Sequence, residues 1–391
     1  MSNNRILLLS LSGIGNYIMH TPFIREVKRQ RPNWRLTLWC APRGQAVFAR
    51  SNPLIDEVIE FPMQSPFYKD LPLLLRLRQQ KISSPFKGNK RDSQYRFDTA
   101  VMLSPGQLIK GAAYMFAAGI PQRIAHQYPF RGTSRSGFLL TDSIPEEPDI
   151  HDIEQNLNLL PLLGLHLPLV NEARVNSSSP PSLNKRSGQV GYKLDISPEI
   201  HQKAAQLLKN LKVMGDKPLI GLHPGSAPDT GYKRWPTDRF AAVARVLLEK
   251  YDTRILIFGG PDEKELKERL AAQILLLLKR GKGDAPVTVI SSDLLTTAAL
   301  TQKCSLFISN DSGLMHIAAA SNTPTIGLFG PTSEIETGPR GLRSYTLRAP
   351  GTKPVYNTEA NASLGNNCHE SLLQLTTERV LMKAQKILQE E

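Results

Sequence analysis

Four short stretches of this sequence hold groups suited to binding or transferring a phosphorylated ligand. The most specific is Ile308-Ser309-Asn310-Asp311-Ser312-Gly313-Leu314-Met315-His316. An apolar run ends at Asn310, Asp311-Ser312-Gly313 turns, and a helical stretch follows with His316 in its first turn. Free N–H groups at a helix start, the Ser312 hydroxyl and the small Gly313 make a cradle for a diphosphate. His316 is placed to hydrogen-bond a phosphate or a sugar. A lone histidine is more often structural, but its position in a phosphate-friendly turn favours a ligand.

The second stretch joins His223-Pro224-Gly225-Ser226, at the end of an apolar run, to Lys233-Arg234-Trp235-Pro236. Gly225 and Ser226 offer main-chain and hydroxyl donors. Lys233 and Arg234 stand just before a helix start, where an anion is already favoured. Thr237 or Asp238 is the expected cap. A surface loop with a packed Trp is the plainer reading, and the convergence of donors and cations favours an anion site. The third stretch, Phe258-Gly259-Gly260-Pro261-Asp262-Glu263, puts acids at a helix start. The helix dipole alone accounts for them; the alternative is a carboxylate that accepts hydrogen bonds from ribose hydroxyls. The fourth, Gly13-Ile14-Gly15-Asn16, is a glycine turn opening a helix, but Ile18 stands where a dinucleotide fingerprint needs its third glycine.

These turns need strands and helices to hold them, and the sequence alternates accordingly. Ile6–Leu11, Leu36–Ala41, Glu57–Phe61 and Ala100–Leu103 read as buried parallel strands. Helical patterns run from the first turn to about Arg29, over Ile109–Ala118 and over Ile153–Leu163. Ser177-Ser178-Ser179-Pro180-Pro181-Ser182 interrupts the pattern as a linker does. The alternation then resumes, with strands expected at Leu219–His223, Arg254–Gly259, Val287–Ser291, Leu306–Asn310 and Thr325–Phe329. Helices are expected from Pro198, and over Asp238–Lys250, Asp262–Lys279, Leu294–Gln302, Gly313–Ala320 and Thr377–Gln389. Two doubly wound α/β domains facing each other would hold ligands in the crevice at the carboxyl ends of their strands.

Composition narrows the class. The 391 residues suit two domains, each able to bury a core. A 40% hydrophobic and 21% charged balance excludes disordered, collagen-like and coiled-coil chains. Cys40, Cys304 and Cys368 lie too far apart for a disulfide framework or a CxxC metal site, which argues for a reducing compartment. No apolar run reaches the ~20 residues of a membrane span, and the N-terminal apolar stretch lacks a cleavage site. A cytoplasmic location is expected. The net charge of +13 favours an anionic partner, and its densest stretch runs from Arg76 to Arg96. Charge alone would admit nucleic acid, but no recognition motif accompanies it, and none is expected to bind.

The sequence resembles glycosyltransferase family 9, the heptosyltransferase-like enzymes of lipopolysaccharide assembly. The resemblance rests on RILLLSLSGIGN…TP, HDIEQNLNLLPLLG, IGLHPGS…KRWP, IFGGPDE, NDSGLMHIAAASNTPTIGLFGPT and the closing CHESLLQLTTERVL. NDSGLMH followed by FGPT is the most specific part. It implies the α/β GT-B fold, two Rossmann-like doubly wound domains facing across a cleft. Residues 1–175 would form the acceptor side, 176–196 a linker and 197–375 the nucleotide-sugar side, with a helix over 376–391 packing back on the N-terminal domain.

The resemblance also implies inverting transfer without metal or cofactor. The donor would be a nucleoside diphosphate sugar. The acceptor would be an anionic glycolipid or polysaccharide of the cell envelope, reached by peripheral contact at the inner membrane. Ser226 and Lys233 would meet donor phosphates, with Arg234 beside them, and Glu263 the donor ribose. Asp311, Ser312, Gly313 and His316 would meet the diphosphate and sugar. Where members that transfer heptose carry an Asp in the first turn, this sequence has Asn16, a neutral amide that cannot take a proton. His20, one helical turn later, is the expected substitute base. Two other readings stand beside the transferase: a non-catalytic sugar-nucleotide or glycan-binding protein, which Asn16 supports, and a sugar-nucleotide epimerase.

Overall fold

The computed structural model describes residues 4–42, 44–61, 67–78, 97–106, 108–128, 134–168, 192, 194–213, 215, 217–279, 286–355 and 364–390. The chain divides into two units, residues 1–190 and 191–391. The expected linker over 176–196 straddles that boundary and lies largely outside the described residues, as does most of the basic stretch 76–96.

The first unit is built on strands β1 (Arg5–Ser10), β2 (Arg35–Cys40), β3 (Glu57–Glu60), β4 (Thr99–Met102), β5 (Gln122–Gln127) and β6 (Asp142–Pro145). Every pair is parallel, in the order β3-β2-β1-β4-β5-β6. Its helices are α1 (Ile14–Gln30), α2 (Gln45–Ser51), α3 (Leu71–Arg78), α4 (Leu108–Ala117) and α5 (Asp152–Leu157). The central β1 is apolar throughout Ile6–Leu9 because both its faces are covered. Leu7 and Leu9 pack with Leu74 of α3 and with Ala112 and Met115 of α4. Helices α1 and α5 pack against each other.

The second unit repeats the plan with β7 (Leu219–His223), β8 (Arg254–Ile257), β9 (Val287–Val289), β10 (Cys304–Asn310), β11 (Thr325–Phe329) and β12 (Ser344–Arg348). The order is β12-β11-β10-β7-β8-β9, again all parallel. Its helices are α6 (Pro198–Asn210), α7 (Thr237–Lys250), α8 (Lys264–Leu277), α9 (Leu294–Thr301), α10 (Gly313–Ala320), α11 (Glu334–Thr337), α12 (Glu370–Leu373) and α13 (Thr377–Gln389). Counted from each unit's first strand, both sheets follow the Rossmann order 3-2-1-4-5-6. The chain therefore reverses direction between β1 and β4, and again between β7 and β10. Ligands of such sheets bind at the carboxyl ends of those strand pairs.

Several elements differ from expectation. Strands β5, β6 and β12 carry polar residues and were not anticipated. The helix expected over 153–163 is α5 followed by a 3-10 turn at Leu160–Leu163, and the helix expected over 262–279 begins as a 3-10 turn at Pro261–Glu263 before α8. Helix α7 has Pro236 at its cap position with no side-chain cap, so neither Thr237 nor Asp238 caps it. Helix α13, within the expected 376–391 helix, buries Val380, Ala384 and Ile387 in the second unit's core with Phe240 and Leu247 of α7. Among the described residues no helix is long and apolar enough to cross a membrane.

Candidate functional site

In the second unit, β7 and β10 lie side by side with His223 opposite Ser309, so the loops leaving both strands share one edge. Asn310 ties them together. Its Nδ2 donates to the Pro224 carbonyl at 2.8 Å, and its Oδ1 accepts the Trp235 N–H at 3.0 Å. The Trp235 indole in turn donates to the Leu375 carbonyl at 2.9 Å, anchoring the KRWP segment in the core.

His223 is the hub of this edge. Its Nδ1 lies 2.9 Å from the Ser312 Oγ and 3.2 Å from the Ser309 Oγ, and its Nε2 lies 3.1 Å from Glu263 Oε2. Glu263 Oε2 also accepts the Gly260 N–H at 2.7 Å. Burial pushes the Glu263 carboxyl up. The His223 hydrogen bond and charge, the Gly260 N–H and the Arg234 charge together outweigh this, and its pKa lies below the usual value. The other oxygen, Oε1, is buried with no hydrogen-bond partner among the described residues. A buried carboxylate oxygen with open lone pairs is suited to hydroxyl donors from a ligand. Gly225 makes this arrangement possible, because a Cβ there would lie 1.6 Å from Glu263 Oε1.

Across the same edge, Lys233 Nζ pairs with Asp311 Oδ2 at 2.9 Å. Burial pushes Asp311 up, but the Lys233 charge and hydrogen bond hold it below the usual carboxylate range. Ser312 caps α10 by accepting the Met315 N–H at 3.3 Å, leaving the helix start with its dipole at the loop edge. His316 is buried, and its Nδ1 lies 3.3 Å from the Tyr192 hydroxyl. Burial lowers its pKa to about 4, so the ring is neutral near pH 7 and offers one donor and one acceptor. Arg234 Nε donates to Ser226 Oγ at 3.0 Å, and that hydroxyl donates to the Thr230 carbonyl at 2.9 Å. These two residues hold the loop's shape as well as its charge.

In the first unit the corresponding edge carries Asn16, half-buried in the first turn of α1 with no hydrogen-bond partner among the described residues. His20 is fully buried. Its Nδ1 lies 3.0 Å from Ser10 Oγ, and its Nε2 lies 2.8 Å from the Ser104 carbonyl. Asn156 of α5 holds the same loop, accepting the Ser104 N–H at 2.7 Å. Burial lowers the His20 pKa to about 4, with the Ser104 carbonyl opposing. Both ring nitrogens are occupied and water is excluded, so the base role expected of His20 is corrected to a structural one that ties β1 to the loop after β4.

The structure thus brings Glu263, Ser226, Lys233, Arg234, Asp311, Ser312, Gly313 and His316 to the β7–β10 edge, while Asn16 and His20 belong to the first unit. The sequence reading gave no role to His223 or Asn310. Their only signal was position, since each is the last residue of a central strand at a reversal of strand order.

The profile of Glycosyltransferase family 9 (heptosyltransferase) matches residues 90–366. The lipooligosaccharide heptosyltransferase 2 of Haemophilus ducreyi is 27% identical over 391 residues, covering 98% of this chain and 99% of that protein. The lipopolysaccharide heptosyltransferase 2 of Escherichia coli K12 is 24% identical over 395 residues, covering 99% of each. Among solved structures, the Escherichia coli ADP-heptose lps heptosyltransferase II superposes with a TM-score of 0.68 at 23% identity over 99% of both chains. A glycosyl transferase family 9 protein from Veillonella parvula does so with 0.73 at 21% identity, covering 100% of this chain and 99% of that one. The structural likeness shows the GT-B fold, and the epimerase reading gives way to the profile match. A match over well more than half of its length places this chain in glycosyltransferase family 9.

Proposed function

We propose that this protein transfers a heptose, or a closely related sugar, from an ADP-linked donor to a lipopolysaccharide-type acceptor, with inversion and without a metal ion. The relatives named for that reaction support the substrate classes. The observation that carries the donor half is the β7–β10 edge. Lys233 and the capped start of α10 offer positive charge to a diphosphate, and Glu263 Oε1 stands ready for ribose hydroxyls.

In the proposed step an acceptor hydroxyl attacks the anomeric carbon. The new C–O bond forms as the bond to the nucleoside diphosphate breaks. Charge building on the departing diphosphate is met by Lys233 and the first-turn N–H groups of α10. Asn16 Oδ1 accepts the hydroxyl's hydrogen bond and orients its lone pair, and the proton passes to water. The reaction takes place on the cytoplasmic side, where nucleotide sugars are held.

One observation favours the non-catalytic reading: Asn16 has no proton-accepting group. A single experiment separates the two. The protein is incubated with ADP-heptose and with GDP-, UDP- and dTDP-sugars, with and without truncated lipopolysaccharide, and both melting temperature and product are followed. ADP-heptose should raise the melting temperature and yield product of inverted configuration in the presence of EDTA. Stabilisation without product would establish a binding protein, and neither effect with any donor would overturn the proposal.

A further inference from the structure

Tyr192 stands at the start of the second unit, where the sequence pattern shows only the end of a linker. It is nonetheless buried, as is Leu194 two residues on. The Leu194 N–H donates to the carbonyl of Ala320, the last residue of α10, at 3.2 Å. At the other end of the same helix the Tyr192 ring meets His316, with centroids 6.1 Å apart and an interplanar angle of 69°.

Two contacts converge on the Tyr192 hydroxyl. The Arg340 N–H donates to its oxygen, and His316 Nδ1 lies 3.3 Å away. The donor is well anchored, because the next residue, Gly341, packs so closely on α10 that a Cβ there would lie 2.5 Å from the Ala319 carbonyl oxygen. Burial pushes the Tyr192 phenol up, so it keeps its proton. A phenol has one proton to give, and an N–H cannot receive it. Among the described residues the acceptor left for that proton is His316 Nδ1. A buried hydroxyl proton without an acceptor is costly, so this bond sets the direction of the contact.

The consequence falls on the imidazole. His316 is neutral near pH 7, so its ring carries one proton. Nδ1 accepts from Tyr192, which places the ring proton on Nε2. Nε2 has no hydrogen-bond partner among the described residues. The ring stands beside the Lys233–Asp311 pair, whose opposite charges both act on it.

We propose that Tyr192 is a positioning residue: its hydroxyl holds His316 as the Nε2–H tautomer and so aims a neutral N–H at the donor diphosphate. The ring gives up no proton. It offers a hydrogen bond that strengthens as charge builds on the leaving group. The aim at a diphosphate rests on the proposed donor site, whereas the tautomer rests only on contacts within the second unit. The alternative is a packing role, which Phe would fill equally well.

The test uses the full chain labelled with nitrogen-15 histidine, and ADP as the probe. Nitrogen shifts at pH 7 report which ring nitrogen carries the proton, and the signal lost in His316→Ala identifies His316. Wild-type protein should show the His316 proton on Nε2, with and without ADP. In Tyr192→Phe the Nδ1 signal should move towards that of an unbonded imine nitrogen, and Kd for ADP should rise roughly three- to tenfold. Adding Tyr192→Phe to His316→Ala should raise Kd no further, because the hydroxyl acts through the ring. A proton on Nδ1 in the wild type, an unmoved Nδ1 signal in Tyr192→Phe, or an equal loss of ADP affinity with and without His316 would each overturn the inference. The wild-type spectrum decides the tautomer even should Tyr192→Phe melt early. Should wild-type protein bind no ADP, the donor-site reading falls, and the spectrum of the free chain still decides whether Tyr192 sets the ring.

Discussion

Asn16 and Gly225 each decide something that no neighbour can supply. In the proposed reaction a carboxylate at position 16 would take the acceptor's proton, which the amide cannot, and positioned general bases contribute roughly 10²–10⁴-fold. Asn16→Asp should therefore raise kcat about tenfold or more with little change in donor KM, measured by transfer from ADP-heptose. An unchanged or lower rate would show that the amide is itself the adapted group. At Gly225 the constraint is space. The Ala Cβ would overlap Glu263 Oε1, and that carboxylate is held in place by His223 and the Gly260 N–H. Gly225→Ala should displace the carboxylate and raise donor KM roughly tenfold while leaving the affinity for inorganic pyrophosphate nearly unchanged. Equal weakening of both ligands would place Glu263 outside the nucleoside site.

The elements set these residues in place through a few long-range bonds, and Asn310 is the clearest case. Replacing its amide by a carboxylate points a charged acceptor at the Pro224 carbonyl and leaves that carbonyl without its donor. Asn310→Asp should cost about 3 kcal/mol, seen as a Tm lower by roughly 8 °C. A Tm within about 2 °C of wild type would show that the loops do not depend on the clasp. Such clasps also mark the limit of what sequence reveals. Strands β7 and β11 and helices α10 and α13 could be read to the residue, because continuous apolar runs and turn residues bound them. Strands β5, β6 and β12 could not, because Gln122, Asp142 and Arg348 break the apolar signal towards the sheet margins. The turn at 311–313 was legible as a candidate anion site because its parts are contiguous. The His223–Glu263 contact was not, because its partners stand 40 residues apart and meet only once the sheet has formed. His20 misled for a related reason. Helical spacing put it on the face of Asn16, and nothing local showed that Ser10 and Ser104 would enclose it.

At the scale of the whole molecule, buried neutral histidines couple stability to pH. His20 and His316 protonate near 6.5 when unfolded but only near 4 when folded. The unfolded chain therefore takes up protons first, and stability falls as pH drops from about 6.5 towards 4. Each ring should cost about 2 kcal/mol between pH 7 and pH 5. Urea unfolding at the two pH values should show this loss, and His20→Gln should remove its share; an unaltered pH dependence in that variant would mean His20 does not titrate in this way. The strand order has a consequence of another kind. All six strands of the first sheet come from the first 145 residues, and none is borrowed from the second. During synthesis the leading half can thus complete its hydrogen-bond ladder while the trailing half is still being translated. Ribosome-stalled chains ending near residue 230 should already resist protease up to about residue 165, with no help from the half yet to emerge.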